Sequence, residues 1–399
     1  MGEVAAARAL SPETDTSLHL SIDCRYVRER PSGIGAYVRA LVDRLPALAP
    51  ESALSLWVDP RAPRPLSQAP NVRESRVAAP ANGLRTLFTP SRLVDLRGVD
   101  VFHAPFNLLG RGIACPTVVT IHDLMWLEAP GLAEGVSLAT PFKARFYRDG
   151  IERALHEATR LVAISRATAD AIRRRAPDAG KRVVVIPHGV EARFAPPEDR
   201  AARREVALAR LGIEGRYFLV VGQNTPSKNH RAVLDAFLAA ALPKDVHLVM
   251  LERLYRGRRF GVVAAEPLDV VARRAGAGSR VLFPDHVSDT FLVDLLQGAE
   301  ALVQFSRYEG FGMPALEALA TGTPVIASDV PALVEVTGGA ALHVPLDRER
   351  LARALERFVR EPSLARELAA RGLERARDFS WDRSAHLHLE LYRDAARAS

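Results

Sequence analysis

Two carboxylates eight positions apart, Glu309 and Glu317, bracket a Gly310-Phe311-Gly312 step in the run 306–324. Ionised carboxylates only accept hydrogen bonds, so the paired hydroxyls of a sugar or a ribose are natural partners. The glycines permit a turn that residues with side chains resist. Pro314 suits the first turn of a helix, where its missing N–H would have no partner anyway. Leu316, Leu319 and Ala320 then supply an i, i+3, i+4 apolar face, and Gly322 followed by Pro324 marks a stop. A helix starting here offers unpaired N–H groups and a positive dipole end to an anion. The pattern predicts a phosphate at the helix start with one carboxylate on either side of it.

Other polar candidates follow short apolar runs. Gly33 and Gly35, in Ser32-Gly33-Ile34-Gly35-Ala36, open a helix and let backbone N–H groups approach a phosphate or a second substrate. His122 and Asp123 end the run Thr120-Ile121-His122-Asp123, where the carboxylate can fix the imidazole tautomer. His103 and Asn107 follow another such run. Ser165 precedes Arg166 at a strand-to-helix junction and fits an N-cap. In Val220–His230, which holds Gly222, Gln223 and Lys228, a strand gives way to a loop and a helix start.

Strand-like and helix-like stretches must position these groups, and they alternate along the chain. Strands are expected at 18–22, 53–58, 101–103, 117–121, 161–164 and 183–186. A second series is expected at 217–221, 246–251, 281–283, 301–304, 325–327 and 341–344. Helices are expected at 33–45, 142–157 and 167–175 among others. Alternation of this kind implies α/β architecture, with parallel sheets covered on both faces. Two series imply two doubly wound, Rossmann-like domains, here 17–205 and 206–380, after a disordered tail at 1–16 and with a linker near 196–215. Open α/β sheets bind ligands beyond the carboxyl ends of their strands. The candidate residues all sit there, so the site belongs in a cleft between facing domains.

At 48% hydrophobic and 25% charged residues, the 399-residue chain has the composition of a globular protein large enough for two cores. Cys24 and Cys115 are too few for a disulfide framework and read as small buried hydrophobes, which suits a reducing cytoplasm. No apolar run reaches the roughly 18–20 residues that span a bilayer. Residues 1–16 lack the basic-then-apolar pattern of a signal peptide. The net charge of +7 is spread among mixed acidic and basic positions. No zinc-finger, RNP or basic-zipper pattern accompanies it, so nucleic acid is not the expected partner.

The run 306–324 resembles the Glu-x7-Glu motif of retaining glycosyltransferases of family 4, which have the two-domain GT-B fold. Val281–Asp289, Pro324–Ser328 and Glu335–Ala341 extend the likeness, and shorter islands carry it into the N-terminal half. The nearest likeness is to bacterial O-antigen mannosyltransferase-like enzymes. The resemblance implies transfer of a hexose, mannose first, from a nucleoside-diphosphate sugar to a saccharide or lipid-linked saccharide in surface polysaccharide or glycoconjugate synthesis. It implies an N-terminal acceptor-side domain, a C-terminal nucleotide-sugar domain, and a final helix (381–399) packing back on the first, with Leu387, Leu391 and Tyr392 inward. Glu309, His122 and Lys228 take catalytic places. Glu317, Gly310, Phe311, Gly312, Met313, Gly222, Gln223, Gly33 and Gly35 bind the donor, while His103 and Asn107 are candidates for the acceptor side. Lys228 stands where the family puts a lysine on the donor pyrophosphate. Relatives carry an arginine after the glycine or before that lysine, where this chain has Gln223 and Ser227, and Ala36 replaces a further arginine. Arg253, Arg256 and Arg258 are possible substitutes.

No Asp-x-Asp motif or Cys/His cluster is present, so no metal or other cofactor is expected. Cationic side chains and helix N-termini would take its place at the diphosphate. Two other classes fit the same motifs: a GT-B sugar-nucleotide epimerase, and a weakly catalytic nucleotide-sugar-binding protein. The expected location is the cytoplasm, with peripheral contact at the inner membrane face through the basic-aromatic run Phe142–Arg148.

Overall fold

A computed structural model describes residues 17–28, 33–62, 65–133, 140–252, 267–284 and 287–398. The expected tail at 1–16, Ser32, the Asp285-His286 pair and the arginines 253, 256 and 258 lie outside the described residues.

Apolar runs of four to seven residues become strands buried on both faces, as a parallel sheet requires. The first sheet has seven: β1 His19–Asp23, β2 Ala53–Val58, β3 Val72–Arg76, β4 Val101–Ala104, β5 Thr117–Ile121, β6 Arg160–Ala163 and β7 Val183–Val185, in the order β3-β2-β1-β4-β5-β6-β7. The second has six: β8 Arg216–Gly222, β9 Val246–Glu252, β10 Val281–Leu282, β11 Ala301–Gln304, β12 Val325–Ser328 and β13 Ala341–Val344, in the order β10-β9-β8-β11-β12-β13. Adjacent strands in both sheets run parallel. Every residue of β5 and β12 is buried. The edge strand β3 was not expected: its sequence Val-Arg-Glu-Ser-Arg is mostly exposed and carries no apolar run.

Helices cover both faces. The helix Arg200–Leu211 is capped by Asp199, which accepts from the Ala201 and Ala202 N–H groups, and it ends at Gly212 with φ +69°. It packs on the helix Asp289–Gly298, and Arg204 donates to the Gly298 carbonyl. The division expected at 205/206 therefore falls inside a helix that belongs wholly to the second sheet.

The C-terminal helix, Trp381–Arg397, lies on the first sheet beside the helix Gly33–Val42. Leu389, Leu391 and Tyr392 are buried in that sheet's core, with Leu387 at its margin. A continuous chain of buried hydrogen bonds ties the helix down. His388 Nδ1 faces the Ser384 carbonyl at 2.7 Å, and that oxygen can only accept. Burial holds the His388 pKa near 4, against the small opposing pull of that bond, so a neutral ring must accept at Nε2. Tyr37 Oη therefore donates to His388 Nε2 at 2.7 Å and accepts from Thr120 Oγ1 at 2.8 Å. Thr120 in turn accepts from His103 Nε2 at 2.8 Å, leaving His103 Nδ1 to accept from Tyr392 Oη at 2.8 Å. His103 is only 1% exposed. Expected as a candidate for the acceptor side, it is a link in this core chain, on a central strand β4 covered by the C-terminal helix.

Replacing Tyr37 by Phe removes two bonds from the chain and leaves His388 Nε2 buried without a donor. The expected cost is about 1–3 kcal/mol, read as a lowered urea midpoint with unchanged slope. Tyr392→Phe, at the chain's end, should cost less. An unshifted midpoint for Tyr37→Phe would show that the chain does not hold the helix.

Candidate active site between the two sheets

The second-sheet half is built on three neighbouring strands. Leu302 pairs with Leu219 and Gln304 with Ala327, so β8, β11 and β12 release their chains at one edge. Glu309 sits in the loop after β11 with its side chain 7% exposed. Its Oε1 accepts from Lys228 Nζ at 2.7 Å, Ser306 Oγ at 2.7 Å and Gln304 Nε2 at 2.8 Å. Its Oε2 accepts from Lys228 Nζ at 2.8 Å. The orientation of the Gln304 amide is forced, because its Oε1 accepts the Ala315 N–H at 2.9 Å. Ser328 Oγ donates to the Ser306 carbonyl at 2.6 Å and holds the loop to β12. Burial pushes the Glu309 carboxyl up, but the Lys228 charge and the three donors outweigh it and leave the pKa below the ordinary range. The structure thus joins Lys228 and Glu309 in one ion pair.

The two glycines beside Glu309 have different reasons. Gly312, with φ +110°, occupies a left-handed conformation just before the helix Met313–Ala320. Gly310 has no such φ. A β-carbon there would run into the His122 carbonyl oxygen, so its bareness lets the two halves meet. Its own carbonyl accepts from Ser165 Oγ at 2.8 Å and Thr168 Oγ1 at 3.3 Å. The Phe311 ring is buried against His188 and Phe379. Met313 packs against the cores of both halves. Gly222 ends β8 and Gln223 is exposed beside it. Gly33 and Gly35 lie in the first turn of the helix Gly33–Val42, neither with a positive φ, and a β-carbon on Gly33 would meet open space. The free protein therefore does not itself demand a glycine at 33.

The first-sheet half centres on His122. Ile121 pairs with Ala163, so His122 and Ser165 leave the sheet at the same edge. Asn107, expected as a candidate for the acceptor side, is 1% exposed. Its two polar atoms are spent holding the strand end: Oδ1 accepts the His122 N–H at 2.7 Å and Nδ2 donates to the Asp123 carbonyl at 3.0 Å. The His122 tautomer is set by the Pro105 carbonyl, which accepts from Nε2 at 2.8 Å, and not by Asp123, whose carboxylate accepts the Met125 N–H. Burial lowers the His122 pKa to about 4, so the ring is neutral at physiological pH. Burial also raises Asp123, against the Met125 bond and the pull of Lys228 from across the cleft.

Further contacts close the two halves on each other. Glu335 accepts the Arg166 and Ala167 N–H groups at 2.8 and 2.9 Å, at a helix start that Ser165 also caps. The Ser227 N–H donates to the Leu132 carbonyl at 3.1 Å, and Tyr308 Oη donates to Glu128 at 2.7 Å.

Glu317 contrasts with Glu309. It is half-buried in the helix Met313–Ala320, and its carboxyl takes no hydrogen bond from the described residues. Burial lifts its pKa to about 8, with Arg193 pulling down and Asp289 and Glu191 pushing up. At the helix start, Ala315 N–H is spent on Gln304 and Pro314 has none. Among the described residues the Met313 N–H takes no hydrogen-bond partner, so it remains for an anion. Among the described residues no group of three or more His, Cys, Asp or Glu could hold a metal ion.

Sequence reasoning passed over several residues that shape the site. Gln304 and Ser306 are polar residues between an apolar strand and Glu309, which was the available signal. His188, 4% exposed, follows an apolar strand as His122 does, and its ring lies among Tyr37, His122, Phe311 and Trp381. The reach of Glu335 to another helix had no local signal.

With this geometry, comparison with known proteins gives a consistent result. Residues 207–375 match the family profile described as glycosyl transferases group 1, and residues 31–194 that of glycosyltransferase family 4. A D-inositol 3-phosphate glycosyltransferase of Rhodococcus erythropolis is 32% identical over 82% of this chain and 78% of its own length. The serotype-specific mannosyltransferase WbdA of Escherichia coli is 28% identical over 69% of this chain but 33% of its own length. Against other curated relatives, too, the chain spans only part of their length, 61% for the Rhodococcus jostii enzyme and 56% for a Mycolicibacterium hassiacum mannosyltransferase. Among solved structures, a sucrose-phosphate synthase from Thermosynechococcus elongatus shares the fold, with a TM-score of 0.73 over 96% of this chain and all of that one at 22% identity.

The ion pair predicts a coupling. Lys228→Ala strands a buried carboxylate and should cost about 3 kcal/mol, the low end for a broken buried pair because the lysine is partly solvated. Adding Glu309→Gln should restore most of that stability. Chemical denaturation of both single variants and the double variant measures the coupling, and additive costs would show that the pair does not carry the loop.

Proposed function

Because the chain belongs to glycosyltransferase family 4, we propose that it transfers a hexose, with mannose as first choice, from a nucleoside-diphosphate sugar to a saccharide or lipid-linked saccharide, with retention at the anomeric carbon. The observation that carries this reading is the unequal state of the two motif carboxylates. Glu309 is already charged and saturated at Oε1, while Glu317 stands open. Glu317 accepts the ribose hydroxyls. Glu309 Oε2, which among the described residues meets only Lys228, takes a sugar hydroxyl near the reacting carbon.

The diphosphate lies between them, against Lys228 and the Met313 N–H. As the bond from the anomeric carbon to phosphate breaks, negative charge grows on the phosphate, and this preorganised positive end stabilises it. The acceptor oxygen bonds to the same face of that carbon, and its proton passes to the departing phosphate, so no covalent nucleophile is needed. Neutral His122, with its Nε2 proton committed to Pro105, offers Nδ1 to a donor-sugar hydroxyl. The reading uses no metal. The name of the E. coli relative supports mannose. No helix among the described residues is long and apolar enough to cross a membrane, so a lipid-linked acceptor would be met at the membrane surface, on its cytoplasmic side in this reading.

Nucleoside diphosphate release across a panel of GDP-, UDP- and dTDP-sugars tests the proposal. One donor should stand out, mannose-bearing by preference, and excess EDTA should leave most of the rate. Loss of activity restored by magnesium or manganese would sink the metal-free reading. Release with no donor would sink the transferase.

A pH test addresses Glu317. Ribose hydroxyls favour its ionised form, so the pKa near 8 falls on binding and a proton is released. Affinity for nucleoside diphosphate should rise up to about tenfold per pH unit as the pH climbs to 8, then level off. Calorimetric titration of Glu317→Gln should lose this component. Equal pH dependence in both proteins would exclude Glu317 from the ribose.

A further inference from the structure

We propose that Asp123 selects the acceptor: its carboxylate accepts a hydroxyl of an uncharged sugar unit, the hydroxyl beside the one that is glycosylated. This rests on the transferase reading above, in which the donor has named contacts and the acceptor has none.

Asp123 follows His122 beyond the carboxyl end of β5 and is half-buried. Its backbone is fixed to the first-sheet half, where Asn107 Nδ2 donates to its carbonyl at 3.0 Å. Its side chain is only half committed. Oδ1 accepts the Met125 N–H at 3.0 Å, while Oδ2 takes no hydrogen bond or ion pair from the described residues. A carboxylate oxygen that is partly withdrawn from water and left unpaired is costly unless a ligand meets it. The side chain stands where the two halves touch. A β-carbon on Gly310, the neighbour of Glu309, would lie 3.2 Å from the Asp123 Cβ. Burial aside, the charges that act on Asp123 are those of Lys228, Glu309 and Glu128, and Asp123 acts in turn on Tyr308. It therefore faces the Lys228–Glu309 pair from the opposite wall of the cleft.

That place is where an acceptor must come. Retention with the acceptor oxygen on the face that the phosphate leaves brings the acceptor beside the phosphate, hence beside Lys228. The first-sheet carboxylate that faces Lys228 then lies against it. The reacting hydroxyl gives its proton to the departing phosphate, so Asp123 neither takes that proton nor forms a bond to the sugar. It holds a neighbouring hydroxyl and so fixes which oxygen reaches the anomeric carbon. Charge sets the ligand class. Asp123, Glu128 and Glu309 act on one another around a single lysine, which Glu309 and the diphosphate claim. A phosphorylated sugar would meet like charge there. At the same sheet edge Arg25 follows β1, but its guanidinium is spent on Asp23, the Ala79 carbonyl and Thr86. A neutral saccharide, all hydroxyl donors, is what an open carboxylate oxygen recognises.

Acceptor-stimulated release of nucleoside diphosphate from the preferred nucleotide sugar tests this. The probes are methyl hexopyranosides, their monodeoxy derivatives and hexose phosphates. With the wild-type chain the methyl glycosides should stimulate release and the hexose phosphates should not. Removing one particular hydroxyl should lower kcat/KM about ten- to hundredfold. Asp123→Asn keeps an oxygen for the Met125 N–H but puts an NH2 in place of Oδ2. It should lose a similar factor on the parent glycoside, and the two losses should not add. A merely structural role would lower every acceptor alike and keep the discrimination against the deoxy sugar. Nucleoside diphosphate affinity, read by calorimetry, should hold or rise in the variant, because a negative charge leaves the neighbourhood of Lys228. Intact discrimination in Asp123→Asn, a fall in its nucleoside diphosphate affinity, or stimulation of the wild type by hexose phosphates alone or by no glycoside would overturn the proposal. No release from any nucleotide sugar, with or without acceptor, would instead sink the transferase.

Discussion

A carboxylate withdrawn from water must be met by positive charge and by hydrogen-bond donors, and Glu309 collects both, the charge from a distant loop and the donors from its own stretch of chain. Lys228 comes from the loop after β8, Gln304 from the end of β11, and Ser306 from the turn that Ser328 of β12 holds in place. Gln304 spends its other amide atom on the helix that carries Glu317. One buried charge thus sets the positions of the cation, the loop and the start of the motif helix. Pairs of this kind gain little net stability over an apolar replacement, but losing one partner is costly. That asymmetry makes the arrangement rigid, and a rigid charge serves a site that must meet a diphosphate without reorganising.

The second constraint is closeness. Gly310 meets the His122 carbonyl with no room for a side chain, and its own carbonyl accepts hydroxyls from the first-sheet half. Residues on either side of the cleft thereby share one backbone contact. The C-terminal helix secures the same region from behind. Its buried hydrogen-bond chain ends on both sides in residues of that helix, passing through β4, β5 and the helix Gly33–Val42 on the way. Tyr37, in the middle of that chain, packs its ring edge to face near His122, with centroids 5.4 Å apart. The neutral histidines of this region are neutral because they are dry.

Much was legible before any coordinates. Apolar runs of strand length between helical patterns imply two parallel sheets because a strand buried on both faces has no polar side to show. The Gly-Met-Pro step locates a helix start, since Gly312 takes a left-handed φ that side-chained residues resist and Pro314 fits the first turn. Glu309, Glu317 and Lys228 could be singled out by residue type and position, and family membership follows from the same run. The edge strand β3 was not legible, because an edge exposed to solvent needs no apolar run. The burial of His103 and Asn107 was not legible either, because a polar residue after a strand reads the same whether it faces a cleft or a covering helix.

What the sequence determined by itself is therefore local and periodic: the alternation, the turn, the helix start and the types of the chemical groups. Tertiary structure alone decided the partners. It paired Lys228 with Glu309, gave the His122 proton to Pro105 and not to Asp123, and left Glu317 open while its twin was saturated. It also separated two glycines that look alike, one needed for its φ and one for the approach of a distant carbonyl. Such pairings join residues up to hundreds of positions apart. They depend on which strands lie side by side and on how deeply each group is buried, and neither is written in the spacing of neighbouring residues.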